Sequence, residues 1–409
     1  MPSNSSTALS LTSVLEPEYL ADPYPLYDQL RSEHPVYWDE SVGAWVLTRY
    51  ADVSAAFRDP RLSAERVLLD AAWFPTEMRE LVGPPIRTLA QQMIFSDPPD
   101  HTRLRGLWVK AFTPRQVEAV RARIQQLTDQ LLSGVGASGQ LDVMCDLAIP
   151  LHAIVIVEML GVPAEDHGHF AAWTADYADL LDGKVRTRKG IARVLRSVSE
   201  LMGYFRMLIA QRRIAPRDDL LQALITVEEQ GAILSEEELL ANCILLLVAG
   251  HESTAHLIGN GVLALLQHPD QLQALRDDPS LIAAAVTETL RYDSPVQAAA
   301  RLAKQDLEIG SERIRAGQAI FMCLGAANRD PAQFAEPNRF DLHRPENRPL
   351  AFGHGIHICL GAPLARLQAQ IALSTILRRF QTLRHAATPP EWEVGLSSRG
   401  LKSLPIMWV

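Results

Sequence analysis

Residues 351 to 366 read Ala351-Phe352-Gly353-His354-Gly355-Ile356-His357-Ile358-Cys359-Leu360-Gly361-Ala362-Pro363-Leu364-Ala365-Arg366. Gly353, Gly355 and Gly361 flank the cysteine, so the backbone can bend and approach a flat ligand with no Cβ in the way. Pro363 suits the first turn of a helix, and Leu364, Leu367 and Ile371 then repeat on one helical face. Cys359 is therefore expected at a helix N-terminus, where the dipole and the unpaired N–H groups favour an anionic sulfur and lower its pKa. A lone cysteine is more often an inert core residue. The spacing of its neighbours sets this one apart.

Working outward, the apolar fraction of 47% over 409 residues is spread without a dividing polar linker, which fits one large fold. Residues 1–14 read as a loose N-terminal arm and 15–409 as a single domain. A net charge of -9 gives no global basic field, and nucleic acid is not an expected partner. Cys145, Cys243, Cys323 and Cys359 are scattered, without a spacing that suits disulfides or zinc, which points to a reducing cytoplasm. The first basic residue is Arg31, and the longest strongly apolar run, Cys243 to Ala249, falls far short of the roughly 20 residues that cross a bilayer. No membrane anchor is expected.

Helical periodicity dominates around Val117 to Leu132, Leu195 to Gln211, Glu236 to Leu266, Pro279 to Tyr292 and Leu364 to Phe380. Strand-like runs at Ala44 to Thr48, Leu307 to Ile309 and Ala319 to Cys323 lie between them. The fold class is mainly α with a minor β sheet. Ser235-x-x-Glu238 forms a capping box, and no proline follows until Pro269, which predicts roughly 48 Å of continuous helix. Into its apolar middle the sequence inserts Gly250, His251, Glu252, Ser253 and Thr254. Such a breach of local consistency is expected at functional or strained sites.

The spacing Phe352-x-x-Gly355-x-x-x-Cys359-x-Gly361, with Gly353 between, resembles the heme-binding signature of the cytochrome P450 family. Other landmarks of that family follow in order from about Glu16 to the C-terminus. The resemblance implies a cytochrome P450 fold, with heme b (iron protoporphyrin IX) between the long central helix and the cysteine-loop helix, and with Cys359 on the iron. It implies that His101, Arg105, Arg301 and His357 bind the propionates, and that Phe352, Gly353 and Gly361 shape the cofactor loop. It also pairs Glu288 with Arg291 and adds Arg339 as the third member of a buried triad. The i, i+3 spacing of Glu288 and Arg291 places them on one helical face.

On the opposite side, Ala249-Gly250-His251-Glu252-Ser253-Thr254 resembles the family's oxygen-activation motif. In that reading Gly250 leaves room for dioxygen, Glu252 feeds protons inward, and Ser253 stands where threonine is commoner. Serine lacks the methyl that restricts χ1, so its hydroxyl is freer. Glu252 and Ser253 favour the dioxygen-dependent route over a peroxide-using or rearranging enzyme of the same heme-thiolate type, and over a heme sensor or carrier. The implied donors are a separate ferredoxin with its reductase, or a flavodoxin, drawing ultimately on NAD(P)H. Basic Arg103, Arg105, Lys110, Arg115, Arg121 and Arg123 offer a docking face for an acidic donor. The family's substrate wall maps onto Met93, Ile94, Leu245, Ala249, Val296, Gln297 and Ala298, an apolar lining for a lipophilic small molecule. A monomer is expected.

Overall fold

The computed structural model describes residues 10–66, 75–136, 139–181, 185, 187–229, 234–249 and 252–408. The helices that position the site are α1 (Asp100–Ala111), α2 (Glu236–Ala249), α3 (Ser253–Gln267), α4 (Ile282–Tyr292) and α5 (Ala362–Arg379). α5 starts as its sequence dictates: Gly361 is the N-cap, Pro363 lies in the first turn, and Arg378 and Arg379 close the last one. Leu364, Leu367, Ile371 and Ile376 bury one stripe of it. It packs on α3, where a Cβ at Gly261 would stand 3.2 Å from Leu373 Cδ1, so a small residue permits the close approach of the two helices.

The chief sheet runs in the order β1 (Val36–Asp39), β2 (Ala44–Leu47), β5 (Ala319–Cys323), β4 (Ala298–Ala303) and β3 (Leu62–Ser63). β4 pairs antiparallel with both neighbours, setting Arg301 opposite Ile320 and Ala303 opposite Leu62. The residues that follow β3 are thereby delivered to the side of Arg301. Among the described residues no helix is long and apolar enough to cross a membrane.

The structure corrects three sequence expectations. The long central helix is not regular throughout: α2 begins with the expected capping box, Ser235 N–H on Glu238 Oε2 at 2.8 Å and Glu238 N–H on Ser235 Oγ at 3.1 Å, and is described as far as Ala249. α3 resumes at Ser253, with Glu252 at φ -112° and the Ser253 hydroxyl donating to the Ala249 carbonyl at 3.4 Å. A hydroxyl that competes for backbone acceptors beside a glycine weakens a helix at that point. Gly250 and His251 lie outside the described residues.

Of the expected N-terminal arm, Ser10 to Val14 is packed, and residues 1–9 lie outside the described residues. Leu11 is 1% exposed, and the Ser10 hydroxyl and Leu11 N–H both donate to Asp39, at 3.0 and 2.7 Å.

Arg339 is not the third member of the buried triad. Glu288, fully buried, accepts from Arg291 Nε and Nη2 at 2.8 and 2.7 Å, from Arg344 Nε at 3.2 Å, from Asn347 at 2.8 Å and from Asp341 N–H at 2.9 Å. Arg339 points to solvent and pairs with Glu336, because its neighbour Phe340 takes the inward position, 1% exposed. What Arg339 supplies to the cluster is its carbonyl, which accepts from Arg291 and Arg344 at 2.9 and 2.8 Å.

Candidate active site

The cysteine loop is fixed by backbone conformation. Gly353 and Gly355 adopt φ of 70° and 72°, a region that L side chains avoid. A Cβ at Gly355 would also meet the Phe57 carbonyl at 2.7 Å. The Cys359 N–H donates to Phe352 O at 2.9 Å, and Arg105 Nη2 donates to Ile358 O at 2.7 Å. These bonds tie the loop on itself and onto α1. The Cys359 thiol opens into an internal cavity, alone among the four cysteines in lining it.

Its protonation differs from the sequence expectation. Burial pushes the Cys359 thiol up, against the opposing pull of Gly361 N–H, Arg105 and Ala362 N–H. A cation at the sulfur would favour the thiolate against that burial.

Along one edge of the cavity stand polar groups with unused capacity. His101, Arg105 and Trp108 fall on one face of α1 and line it, with Phe112 just past the helix end. His357 stacks near His101, ring centroids 4.0 Å apart, and Arg301 enters from β4. Both ring nitrogens of His101, Nε2 of His357 and Nε1 of Trp108 are buried with no hydrogen-bond partner. Burial and the nearby His101, Arg301 and Arg66 push His357 down to about 3. His101 is lowered by burial and then by Arg105, while burial lowers both Arg105 and Arg301. A carboxylate set among these groups would return them toward normal, as Asp97 does in part for His101, Arg301 and His357.

The opposite wall is apolar and meets the broken central helix. Leu245 and Ala249 from α2, Ser253, Thr254 and Leu257 from α3, Met93 and Ile94, and Leu290, Val296 and Ala299 line it. Gln297 and Ala298, expected there, do not. Gln297 is 2% exposed and turns away to donate to Ser294 O at 2.7 Å, while strand alternation gives the inward face of β4 to Ala299 and Arg301. Glu252 is half-buried at the start of α3. A surface cleft of about 1050 Å³ between Lys110–Ile124 and Arg217–Thr226 is larger than this cavity of about 320 Å³, but it holds neither the thiol nor the partnerless donors.

A family profile described as Cytochrome P450 matches residues 62–407. Cytochrome P450 107B1 of Saccharopolyspora erythraea is 43% identical over 398 residues, 95% of each chain. The crystal structure of P450BioI with hexadec-9Z-enoic acid ligated acyl carrier protein superposes with a TM-score of 0.89 at 39% identity, covering 96% of this chain and 99% of that one. That of myxobacterial CYP267B1 with myristic acid gives 0.87 at 39% identity, covering 97% and 99%.

The chain belongs to the cytochrome P450 family. Membership carries with it monooxygenase chemistry, a heme-thiolate cofactor and the use of dioxygen. The cavity of this cytochrome P450 fits heme b on its own terms: one thiol on one side, partnerless donors suited to two propionates along the edge, and an apolar wall opposite. Sequence reasoning missed several lining residues, Trp108 and Arg66 among them. Trp108 was legible, since positions 101, 105 and 108 share a helical face, whereas Arg66 reaches the cavity only through the β3–β4 pairing.

Proposed function

We propose that this cytochrome P450 inserts one oxygen atom from dioxygen into a lipophilic small molecule, by hydroxylation or epoxidation, in lipid, terpenoid or other secondary metabolism. The single observation that carries the reading is the arrangement of one cavity-facing thiol opposite a small, apolar wall that ends in two hydroxyls, Ser253 and Thr254. When bound, heme b supplies the iron at which dioxygen is reduced and split.

Each residue has a part in that reading. Cys359 ligates the iron; His101, Arg105, Arg301 and His357 hold the propionates; Phe352, Gly353 and Gly361 shape the loop beneath. Ala249 leaves space on the other side, and Gly250 is given the same part from the sequence alone. Glu252 brings protons to the break between α2 and α3, Ser253 holds them within hydrogen-bonding range of the cavity, and Thr254 offers a second hydroxyl. Electrons come from NAD(P)H through a ferredoxin and its reductase, or through a flavodoxin, to a monomeric enzyme in the cytoplasm. In the proposed donor face Arg103, Arg121 and Arg123 are already paired with Glu238, Glu118 and Glu158, which leaves Lys110 and Arg115 as the more available charges.

The fatty-acyl ligands of the two crystal structures support a lipid-like substrate, as does the apolar wall. The test is optical titration of the heme-loaded protein with fatty acids, terpenoids, steroids and macrolides, followed by turnover with a ferredoxin, its reductase and NADPH. Hydroxylated or epoxidised product from a compound that shifts the spin state is the expected result. Products formed with peroxide but never with the donor chain would overturn the dioxygen route.

A further inference from the structure

Arg66 lies outside every role given above. It follows β3, lines the same cavity as His101, Arg301 and His357, and packs its guanidinium over the Phe95 ring, 4.8 Å from the centroid. Only Nη1 is engaged, on Ala64 O at 3.2 Å and Ile94 O at 3.5 Å. Nε and Nη2 have no hydrogen-bond partner and no carboxylate pairs with the side chain, among the described residues. Half-buried at the cavity, its two unpaired donors are open to an acceptor that enters there.

The chain holds Arg66 there deliberately. Asp97 accepts from Ser63 Oγ at 2.7 Å, from Ala64 N–H at 2.9 Å and from Lys304 Nζ at 2.7 Å, so the segment before Arg66 is clamped and Asp97 has its own cation. Asp97 is therefore not the missing partner. Burial and the neighbouring Arg301 pull Arg66 down to about 10, the mark of a cation beside a second cation without an intervening anion.

Charge balance gives the ligand class. Arg66, Arg105 and Arg301 bring three guanidinium groups to the cavity lining, against two heme propionates. We propose that Arg66 is a carboxylate-binding residue of this cavity, facing either a propionate or the acid end of a substrate such as a fatty acid. Its planar donors suit a carboxylate edge, and Met93 and Ile94 beside it continue into the apolar wall, as an acid with a hydrocarbon tail requires. This rests on the heme-thiolate reading of the cavity.

The test compares heme-loaded wild type with Arg66→Leu and Arg66→Lys. Two quantities are measured: spectral binding of myristic acid against myristamide, and the rate at which heme passes to excess apomyoglobin. If the source is the substrate, Arg66→Leu weakens myristic acid by about tenfold, leaves the amide and heme transfer unchanged, and Arg66→Lys recovers part of the loss. If the source is a propionate, heme transfer accelerates by a similar factor and the acid-to-amide ratio holds. Arg66→Gln, which is shorter and uncharged but stays polar, replaces the leucine variant should that one not load heme. Equality of wild type and variants in both measurements overturns the proposal. A reduced carbon monoxide complex of wild type without the thiolate band instead overturns the heme-thiolate reading itself, so the two failures are distinct.

Discussion

The two sides of the cavity are built in opposite ways. On the cysteine side, conformation is dictated locally: two left-handed glycines, a Phe57 carbonyl that admits no Cβ, and a proline-started helix fix Cys359 whatever its ligand. On the opposite side, the chain interrupts its own central helix, and Ser253 bonds the Ala249 carbonyl weakly across the break. A ligand that stays can be held by a rigid frame. A proton that must move needs groups whose hydrogen bonds are easily exchanged.

The largest effect that would break this contrast is at the sulfur. Cys359→His should retain heme by way of the frame yet lose the thiolate band of the reduced carbon monoxide complex, together with all monooxygenation. A variant that kept both would remove the distinction between frame and ligand.

Next comes the support behind the frame. Glu288→Gln strands Arg291 and Arg344 without their anion, and a broken buried ion pair costs about 3–5 kcal/mol. Urea denaturation of the heme-free protein should show that loss, or expression should fail. Arg339→Ala, by contrast, removes only an exposed side chain and should stay within about 0.5 kcal/mol of wild type. Equal losses at Glu288 and Arg339 would contradict the assignment of Arg344 to the cluster.

Gly355→Ala sharpens the same side. A positive φ and the close Phe57 carbonyl together should cost about 1–3 kcal/mol, read as earlier thermal unfolding and faster heme loss. The matching change at an open position, Gly106→Ala in α1, meets no atom within 4 Å and should not destabilise.

Legibility in the sequence follows the same division. The capping box at Ser235, the start of α5 at Pro363, the strand Ala319–Cys323 and the face shared by His101 and Arg105 depend on neighbours within a few residues, and all appear as read. The third member of the Glu288 cluster was misplaced because Arg339 and Arg344 sit on one irregular loop, and only the inward turn of Phe340 decides between them. Gln297 and Ala298 were misplaced because the register of β4 is set by β5 and β3, far along the chain. Arg66 was not seen at all, for the same reason. Local rules also predicted an unbroken helix through Ser253, whereas a helix starts afresh there with Glu252 as its N-cap.

That hydroxyl gives the smallest and most discriminating effect. Ser253→Ala removes the bond to Ala249 but no buried volume of note, so heme content and the carbon monoxide spectrum should stay as in wild type. If Ser253 holds protons in reach of the reaction, a larger share of the NADPH consumed should appear as hydrogen peroxide rather than product, by several-fold. Thr254→Ala keeps the break intact and should leave that ratio nearly unchanged, since Thr254 is 4% exposed and sits one position deeper in α3. Unaltered coupling in Ser253→Ala, with a loss in Thr254→Ala, would transfer the proton-holding role to Thr254. It would also mean that the helix break serves to open the cavity wall rather than to present the serine.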